Sequence, residues 1–144
     1  MRALGLDLGS KRIGVAVSDL SGTIASPLTV IARGRSRRHD HERIAVLVRE
    51  EEADCVVVGM PRSLSGGDGP AAKAARSEAS ALASVIGVPV ETYDERFSTV
   101  TANRALAESG VRGQARRQVV DKVAAAVILQ SWLDARRLAA EGPS

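Results

Sequence analysis

Along the first third of the chain, hydrophobic residues alternate with small or polar ones at every second position, which is the period of a pleated strand. Segments 3–9 and 12–19 follow this pattern, and segment 26–33 is a third candidate strand. Only a short Gly-Ser-Lys turn separates the first two segments. Because a parallel crossover needs about a dozen residues or more, we expect these strands to pair as antiparallel neighbours.

After residue 40 the spacing changes, and segments of helical periodicity alternate with short apolar runs. Helices are predicted over 41–53, 69–87, 98–110 and from about Gln118 to Leu138, and strands over 54–61 and 88–95. Strands that alternate with helices join a sheet through parallel crossovers. The sequence therefore predicts an α/β fold with a flexible loop at 63–70. It is expected to form one domain over 1–138, followed by a C-terminal tail at 139–144.

Composition narrows the class of protein. With 44% hydrophobic residues among 144, the chain is globular and long enough to bury a core. Its single cysteine, Cys55, lies in an apolar run and excludes an internal disulfide. The sequence shows neither a cleavable signal segment nor an apolar stretch near the roughly 20 residues that span a bilayer. We therefore expect a cytoplasmic protein with no membrane partner.

Charged and aromatic residues bear on the kind of partner. The chain carries 20 basic and 17 acidic side chains, and this net charge of +3 permits an anionic partner. Aromatic residues make up only 2%, so stacking on bases is not expected to be the main binding device. Any recognition of nucleic acid is expected to depend on backbone shape and charge.

An acidic residue, Asp7, lies within the first predicted strand, on the same side as the small residues Ala3 and Gly5. A buried ionised carboxylate costs on the order of several kcal/mol unless a positive group meets it. Two further acids stand out: Glu95 at the end of strand 88–95, and Asp121 at the start of the apolar face of the last helix. If the three carboxylates converge, a divalent cation would relieve their repulsion, and oxygen ligands favour Mg²⁺ or Mn²⁺.

Each acid also has a structural interpretation. Asp121 could be a helix-start acid favoured by the macrodipole, and Glu95 an ordinary charge at a strand end. Asp7 is the hardest to explain in this way, because a central strand has no backbone donors to spare. No cluster of His or Cys suggests zinc, since His39 and His41 are predicted to lie in a polar, Arg-rich loop.

Basic residues lie next to each of these acids in the sequence. The candidate nucleic-acid-binding residues are Lys11, Arg12, Arg96, Arg112, Arg116, Arg117 and Lys122. Cations at these positions suit a phosphate backbone, although a solvated charge run is the alternative for the group ahead of Asp121. A second basic group at 33–43 is either a mobile arm that grips nucleic acid or a solvated loop. Gly5 and Gly9 either leave space for ions and substrate or relieve strand packing.

Four segments together resemble the YqgF/RuvX family of the ribonuclease H-like superfamily. They are DLGSKRIGVAVSD, VVVGMPRSLSGGDGP, DERFSTVTA and VDKVAAAVILQSWL, in that order, and the match covers the chain from residue 4 to about 134. The resemblance implies a five-stranded mixed sheet, with three antiparallel and two parallel strands, flanked by helices. It also implies a metal-dependent nuclease. The family's acidic positions correspond to Asp7, Glu95 and Asp121, which would be both catalytic residues and ligands of Mg²⁺ or Mn²⁺.

Two substrates follow from the resemblance. Members of the family are described as nucleases that mature the 5′ end of pre-16S rRNA, and as Holliday junction resolvases acting on four-way DNA junctions. Ribosome biogenesis is the expected role, and junction resolution in recombination or repair is the alternative. RuvC-like resolvases often carry a further acid near the end of the last helix. Here Asp134 lies 13 residues after Asp121, roughly 20 Å along a helix, which weakens that analogy. Met60, Phe97 and Ser98 depart from the family pattern without affecting a candidate ligand.

Other classes of protein have to be weighed. The DLGS segment followed by a hairpin also resembles the phosphate loop of actin-like ATPases and sugar kinases, but those proteins need two such domains around a cleft. A protein that binds RNA or junctions without catalysis is a further alternative, which loss of one of the three acids would favour. A resolvase is expected to be a dimer with paired sites, so the oligomeric state, monomer or homodimer, bears on the substrate.

Overall fold

The computed structural model describes residues 1–61, 69–99 and 114–141, with side chains from residue 121 onward in the last of these ranges. Five strands form one sheet: β1 (Ala3–Leu8), β2 (Arg12–Ser18), β3 (Ala25–Ala32), β4 (Cys55–Met60) and β5 (Val90–Asp94). The helices are α1 (Arg37–Glu50), α2 (Pro70–Ile86) and α3 (Gln114–Glu141), and a short 3₁₀ helix spans Glu95–Phe97. None of the helices in these ranges is long and apolar enough to cross a membrane.

The sheet is mixed, with strand order β3-β2-β1-β4-β5. Strands β1, β2 and β3 form an antiparallel meander, as their short connections predict. Strand β4 is parallel to β1, and β5 is parallel to β4. The crossovers before β4 and β5 contain α1 and α2, as parallel pairing requires. The predicted fold, with three antiparallel and two parallel strands flanked by helices, is confirmed.

The two faces of the sheet carry different cores. On one face Leu4 and Leu6 of β1 pack in a buried cluster with residues of α1 and α2. On the other face Ala3 of β1 belongs to a cluster that includes Cys55 and Leu129 of α3. Because side chains alternate along a strand, Asp7 lies on the same face as Ala3, beneath α3. The helix that carries Asp121 therefore covers the face that carries Asp7.

The structure departs most clearly from the sequence prediction in the Arg-rich segment 33–43. Helix α1 begins at Arg37, and the side chain of Ser36 caps it by accepting a hydrogen bond from the His39 N–H at 3.1 Å. His39 and His41 were predicted to lie in a polar loop, with His41 also the first residue of the predicted helix 41–53; both are in α1, and His41 is only 2% exposed. That prediction was wrong because Ser36 starts the helix ahead of the first hydrophobic residue.

Other boundaries differ less. Helix α3 has 28 residues and is longer than predicted at both ends. In the segment predicted as a helix over 98–110, the structure describes only residues 98 and 99, which are not helical. The backbone N–H of Ser98 donates to the Glu95 carbonyl and closes the 3₁₀ helix. The rest of that predicted helix, and most of the predicted loop at 63–70, lie outside the described residues.

Candidate active site

A cavity of about 350 Å³ lies where β1 and β4 end, under the described start of α3. Its wall is built from the end of β1, the β1–β2 turn, the end of β4, the 3₁₀ helix, the start of α2 and one residue of α3. The lining residues are Asp7, Leu8, Gly9, Ser10, Lys11, Arg12, Gly59, Pro61, Ala71, Glu95 and Asp121. All three acids that the sequence singled out therefore line the same cavity.

The position of Asp121 relative to Asp7 is set by a close approach of α3 to the sheet. Asp7 is 8% exposed, and its partner across the antiparallel ladder is Gly14 of β2. A Cβ atom on Gly14 would overlap the carbonyl oxygen of Asp121, so the helix backbone rests directly on this glycine. A larger residue at 14 would lift α3 and move Asp121 away from Asp7.

Glu95 enters the cavity from the 3₁₀ helix that follows β5 and is 5% exposed. The carboxylate of Asp94 caps this helix by accepting a hydrogen bond from the Arg96 N–H at 2.9 Å. A Cβ atom on Gly59 of β4 would lie 3.1 Å from Glu95 Oε1 and 2.6 Å from Ile128 Cδ1. Gly59 therefore makes room for the Glu95 carboxylate between β4 and α3.

Asp121 faces a cation supplied by the chain itself. Arg12 Nε donates to Asp121 Oδ2 at 2.7 Å, and the two side chains are 17% and 22% exposed. Within the described ranges, no three Asp, Glu, His or Cys side chains form a ready-made metal site. The cavity thus collects the three acids, and one oxygen of Asp121, Oδ2, is already engaged by Arg12.

The chemistry of the donor set still fits a hard divalent cation. Asp7, Glu95 and Asp121 offer only carboxylate oxygens, the ligands that Mg²⁺ and Mn²⁺ prefer. The part of the cavity wall that the structure describes contains no His or Cys that would favour zinc. Two of the three carboxylates are buried, so an ion bound there would also relieve the repulsion between like charges.

Only some of the basic residues that were predicted to bind nucleic acid line the cavity. Lys11 and Arg12 line the cavity, and Lys11 is exposed. Arg96 turns to Asp94, with Nη2 2.6 Å from Oδ2, and lies outside the cavity wall. Lys122 is half-buried in the first described turn of α3 side chains, next to Asp121. Arg112 and the side chains of Arg116 and Arg117 fall outside the described residues, so their predicted role remains a prediction.

The sequence left two interpretations open for Gly5 and Gly9, space for ions and substrate or relief of strand packing, and Gly5 follows the second. A Cβ atom on Gly5 would lie 2.7 Å from Leu129 Cβ, so Gly5 makes room for α3. Gly9 does line the cavity, and its N–H donates to the Arg12 carbonyl at 3.0 Å in the tight β1–β2 turn.

A buried charged network beside the cavity was not foreseen from the sequence. Arg33 donates two hydrogen bonds to Glu78 of α2, from Nη1 at 2.6 Å and from Nη2 at 2.8 Å. His41 Nε2 lies 2.7 Å from Glu78 Oε2. Burial alone would raise the pKa of Glu78, but the hydrogen bonds from Arg33 and His41 outweigh it and lower that pKa below 4.5.

A signal for part of this network was present in the sequence. His41 precedes Ile44, Ala45 and Val48 at helical spacing, and all four are buried on one face of α1. A histidine that extends such a stripe is expected to have a buried polar partner. Nothing in the sequence identifies Glu78 as that partner, because the two residues lie on different helices.

The strand order β3-β2-β1-β4-β5, with α3 packed across the face that carries Asp7, defines the class of fold as ribonuclease H-like. Thermus thermophilus RuvC, solved in complex with a Holliday junction substrate, has this fold. The two chains superpose with a TM-score of 0.60 at 17% identity, covering 95% of this chain and 96% of RuvC. At that identity the likeness shows the fold alone.

Sequence comparison specifies the family. The profile of the RuvX family, described as "Holliday junction resolvase", matches residues 1–135, and the chain belongs to this family. A protein of Mycobacterium sp. (strain KMS) is 50% identical over 143 residues, covering 99% of this chain and 85% of the relative. A protein of Myxococcus xanthus is 49% identical over 137 residues, covering 95% and 90%. Both relatives bear the name "Putative pre-16S rRNA nuclease".

Proposed function

We propose that this chain is a metal-dependent nuclease that hydrolyses phosphodiester bonds in the maturation of the 5′ end of pre-16S rRNA, in the cytoplasm. The observation that carries the proposal is the single cavity lined by Asp7, Glu95 and Asp121 on a ribonuclease H-like sheet. The names of relatives that share about half of this sequence support the rRNA substrate.

In this proposal Asp7, Glu95 and Asp121 hold Mg²⁺ or Mn²⁺. When bound, the ion lowers the pKa of a water molecule and neutralises charge on the scissile phosphate. Without a cation, two buried carboxylates would repel a phosphate inside the cavity, so metal is expected to strengthen binding of the scissile phosphate there but not contacts made outside the cavity. Asp7 is the most rigidly held of the three, because its backbone lies in a central strand paired on both sides.

Lys11 and Arg12 bind the phosphate backbone at the mouth of this cavity. Both line it, and both lie in the turn directly after Asp7. Arg12 has a second role, because its guanidinium neutralises Asp121 through Nε. A guanidinium has further N–H donors, which can bond phosphate oxygens.

A four-way DNA junction is the alternative substrate, supported by the description of the family profile. Junction cleavage needs two incisions and hence paired sites in a homodimer, whereas trimming an RNA end needs one site in a monomer. Sedimentation of the purified protein over a range of concentrations, with and without a junction, therefore bears directly on the choice.

The proposal is tested by assaying purified protein on a pre-16S-like RNA with a 5′ extension and on a four-way DNA junction. Each substrate is incubated with Mg²⁺, Mn²⁺ or EDTA. We expect RNA cleavage with either ion, none with EDTA, and a loss of at least about 100-fold in Asp7→Asn. The matched control is Asp134→Asn, since Asp134 bonds Gln130 and Arg137 of its own helix and does not line the cavity.

Two results would contradict the proposal. Equal cleavage by the wild type and by Asp7→Asn would remove Asp7 from the metal site. Cleavage of the junction but not of the RNA would establish the alternative substrate while leaving the metal-dependent mechanism in place.

A further inference from the structure

The Arg-rich segment at the start of α1 adjoins the rim of the cavity. At the end of β3 the backbone N–H of Arg33 donates to the Lys11 carbonyl at 2.9 Å. The side chain of Arg33 also donates, from Nε to the Gly9 carbonyl at 3.0 Å. Gly9 and Lys11 both line the cavity. Residues 34–38 therefore leave the sheet directly beside the turn that we assign to phosphate binding.

This segment is anchored and is not a mobile arm. Arg33 is held by its two hydrogen bonds to Glu78, which is only 7% exposed and also contacts His41. One residue further on, the Gly34 N–H donates to Asp40 Oδ1 at 2.8 Å, and Asp40 is 2% exposed. Buried bonds of this kind fix the path of the backbone up to the first turn of α1.

Beyond the anchor, the basic side chains are exposed. Arg35 and Arg37 have no ion pair with any residue that the structure describes, and the same holds for Lys11 on the neighbouring turn. Arg38 has only a 3.4 Å contact with Glu42, and the two side chains are 80% and 56% exposed. A pair so exposed contributes little. The result is a group of exposed cations that lie close in the chain to the anchored residues Arg33 and Gly34.

The position of these cations is unfavourable for the isolated protein. Arg37 and Arg38 occupy the first turn of α1, where the helix dipole is positive and cations are disfavoured. Asp40 is the acid of this turn, and it is buried and engaged with Gly34 and Arg33. A bound anion would compensate both the dipole and the arginines.

We propose that Lys11, Arg35 and Arg37 form a phosphate-binding edge that holds the nucleic-acid backbone outside the cavity. The proposal rests on the proposed nuclease function, because it takes the strand in the cavity to be the strand on this edge. Contacts of this kind are to phosphate and do not depend on sequence. The Arg33–Glu78–His41 network sets the position of the edge relative to the catalytic carboxylates.

The edge is tested by fluorescence anisotropy with a labelled single-stranded RNA in EDTA, so that binding is measured apart from metal-dependent cleavage. Affinity is followed from about 50 to 200 mM salt, a range over which phosphate contacts weaken steeply. In Arg35→Ala/Arg37→Ala we expect weaker binding to every RNA sequence. Loss of two contacts should reduce the slope of log K against log salt by about 1.4.

The matched control is Arg49→Ala, which removes an exposed arginine from the last turn of the same helix. Its salt slope is expected to equal that of the wild type. Arg37→Lys keeps the positive charge, so its slope of log K against log salt should also equal that of the wild type. Thermal melting verifies the fold: because Arg37 opposes the helix dipole, Arg37→Ala should melt at the same temperature as the wild type or slightly higher.

The edge is overturned if the double variant keeps the wild-type affinity and salt slope, or if the wild type does not bind RNA. Failure of the proposed nuclease function would look different. In that case the slope would still depend on Arg35 and Arg37, but no RNA would be cleaved with Mg²⁺ or Mn²⁺.

Discussion

Two glycines determine how closely α3 and Glu95 approach the strands of the sheet at the candidate site. Gly14 lets the backbone of α3 contact β2 at Asp121, and Gly59 leaves room for the carboxylate of Glu95. Both glycines interrupt strands that are otherwise apolar, and such glycines often mark a close backbone approach. The sequence shows the interruptions, but not which helix would use the space, because that depends on how the chain crosses the sheet.

Arg12 is the residue whose role the sequence predicted least completely. It was expected to bind nucleic acid, and its ion pair with Asp121 leads us to expect that it also competes with metal for this carboxylate. We expect Arg12→Gln to bind Mn²⁺ and Mg²⁺ more tightly, by about fivefold. That factor corresponds to about 1 kcal/mol, a modest value because both side chains are partly exposed. The measurement is isothermal titration calorimetry without substrate.

The control for this prediction is Arg96→Gln, since Arg96 is also paired with a carboxylate but lies outside the cavity wall. Its metal affinity should equal that of the wild type. RNA binding should weaken in Arg12→Gln, opposite in sign to the effect on metal. Weaker metal binding by Arg12→Gln would mean that the guanidinium orients Asp121 for the ion and does not compete with it.

At the level of whole elements, the strands were more predictable than the surroundings of the site. The alternating pattern of β1 and β2, with a short turn between them, leaves few possible pairings, and the antiparallel meander was predicted correctly. The start of α1 was missed because its first turn is rich in arginine, and only Ser36 marks the N-cap. Glu95 was predicted at or just past a strand end, as found, but the 3₁₀ helix capped by Asp94 that turns it into the cavity was not predicted.

The contact between α1 and α2 supplies a stability prediction. Removing Glu78 would leave the buried His41 without this carboxylate partner and, among the residues that the structure describes, the Arg33 side chain with only Asp40 and the Gly9 carbonyl. We expect Glu78→Ala to lower the free energy of unfolding by about 3 kcal/mol, the lower part of the range for a broken buried pair, because Arg33 retains some exposure. Glu42→Ala removes the exposed partner of Arg38 and should cost no more than about 0.5 kcal/mol. Urea denaturation at pH 7 measures both.

The same network gives a dependence on pH with a defined sign. The folded-state pKa of Glu78 is lowered below its ordinary 4.5 by hydrogen bonds from Arg33 and His41 that outweigh desolvation. Its contribution to stability is therefore fully present above that pH and is lost as the pH falls through the lowered value. We expect the difference in unfolding free energy between the wild type and Glu78→Gln to shrink below about pH 4.5. A constant difference down to pH 3 would contradict this assignment.

At the scale of the whole molecule, the larger hydrophobic core and the candidate site lie on opposite faces of the sheet. The face covered by α1 and α2 holds the larger apolar core, together with the Arg33–Glu78–His41 network at its edge. The face covered by α3 holds the smaller core and the acidic cavity. The three acids lie far apart in the sequence. Their convergence was predicted because a divalent cation would relieve the repulsion between their carboxylates. The pairing of Asp121 with Arg12 was not predictable, because it depends on the crossing of α3 over β2.

This arrangement predicts that a bound cation stabilises the entire fold, because its proposed ligands come from β1, from the 3₁₀ helix after β5 and from α3. An ion that binds only the folded chain adds about 1.4 kcal/mol at ten times its dissociation constant. For a domain of this size that corresponds to a rise in melting temperature of roughly 3–6 °C. Differential scanning calorimetry with increasing Mg²⁺ or Mn²⁺ should show the rise in the wild type and in Asp134→Asn. It should be absent in Asp7→Asn.

Sodium chloride at matched ionic strength controls for screening, and an equal rise with sodium or in Asp7→Asn would show that the ion binds elsewhere. A rise that requires Asp7 would show that the cavity, and not the acidic surface in general, links the strands to the last helix.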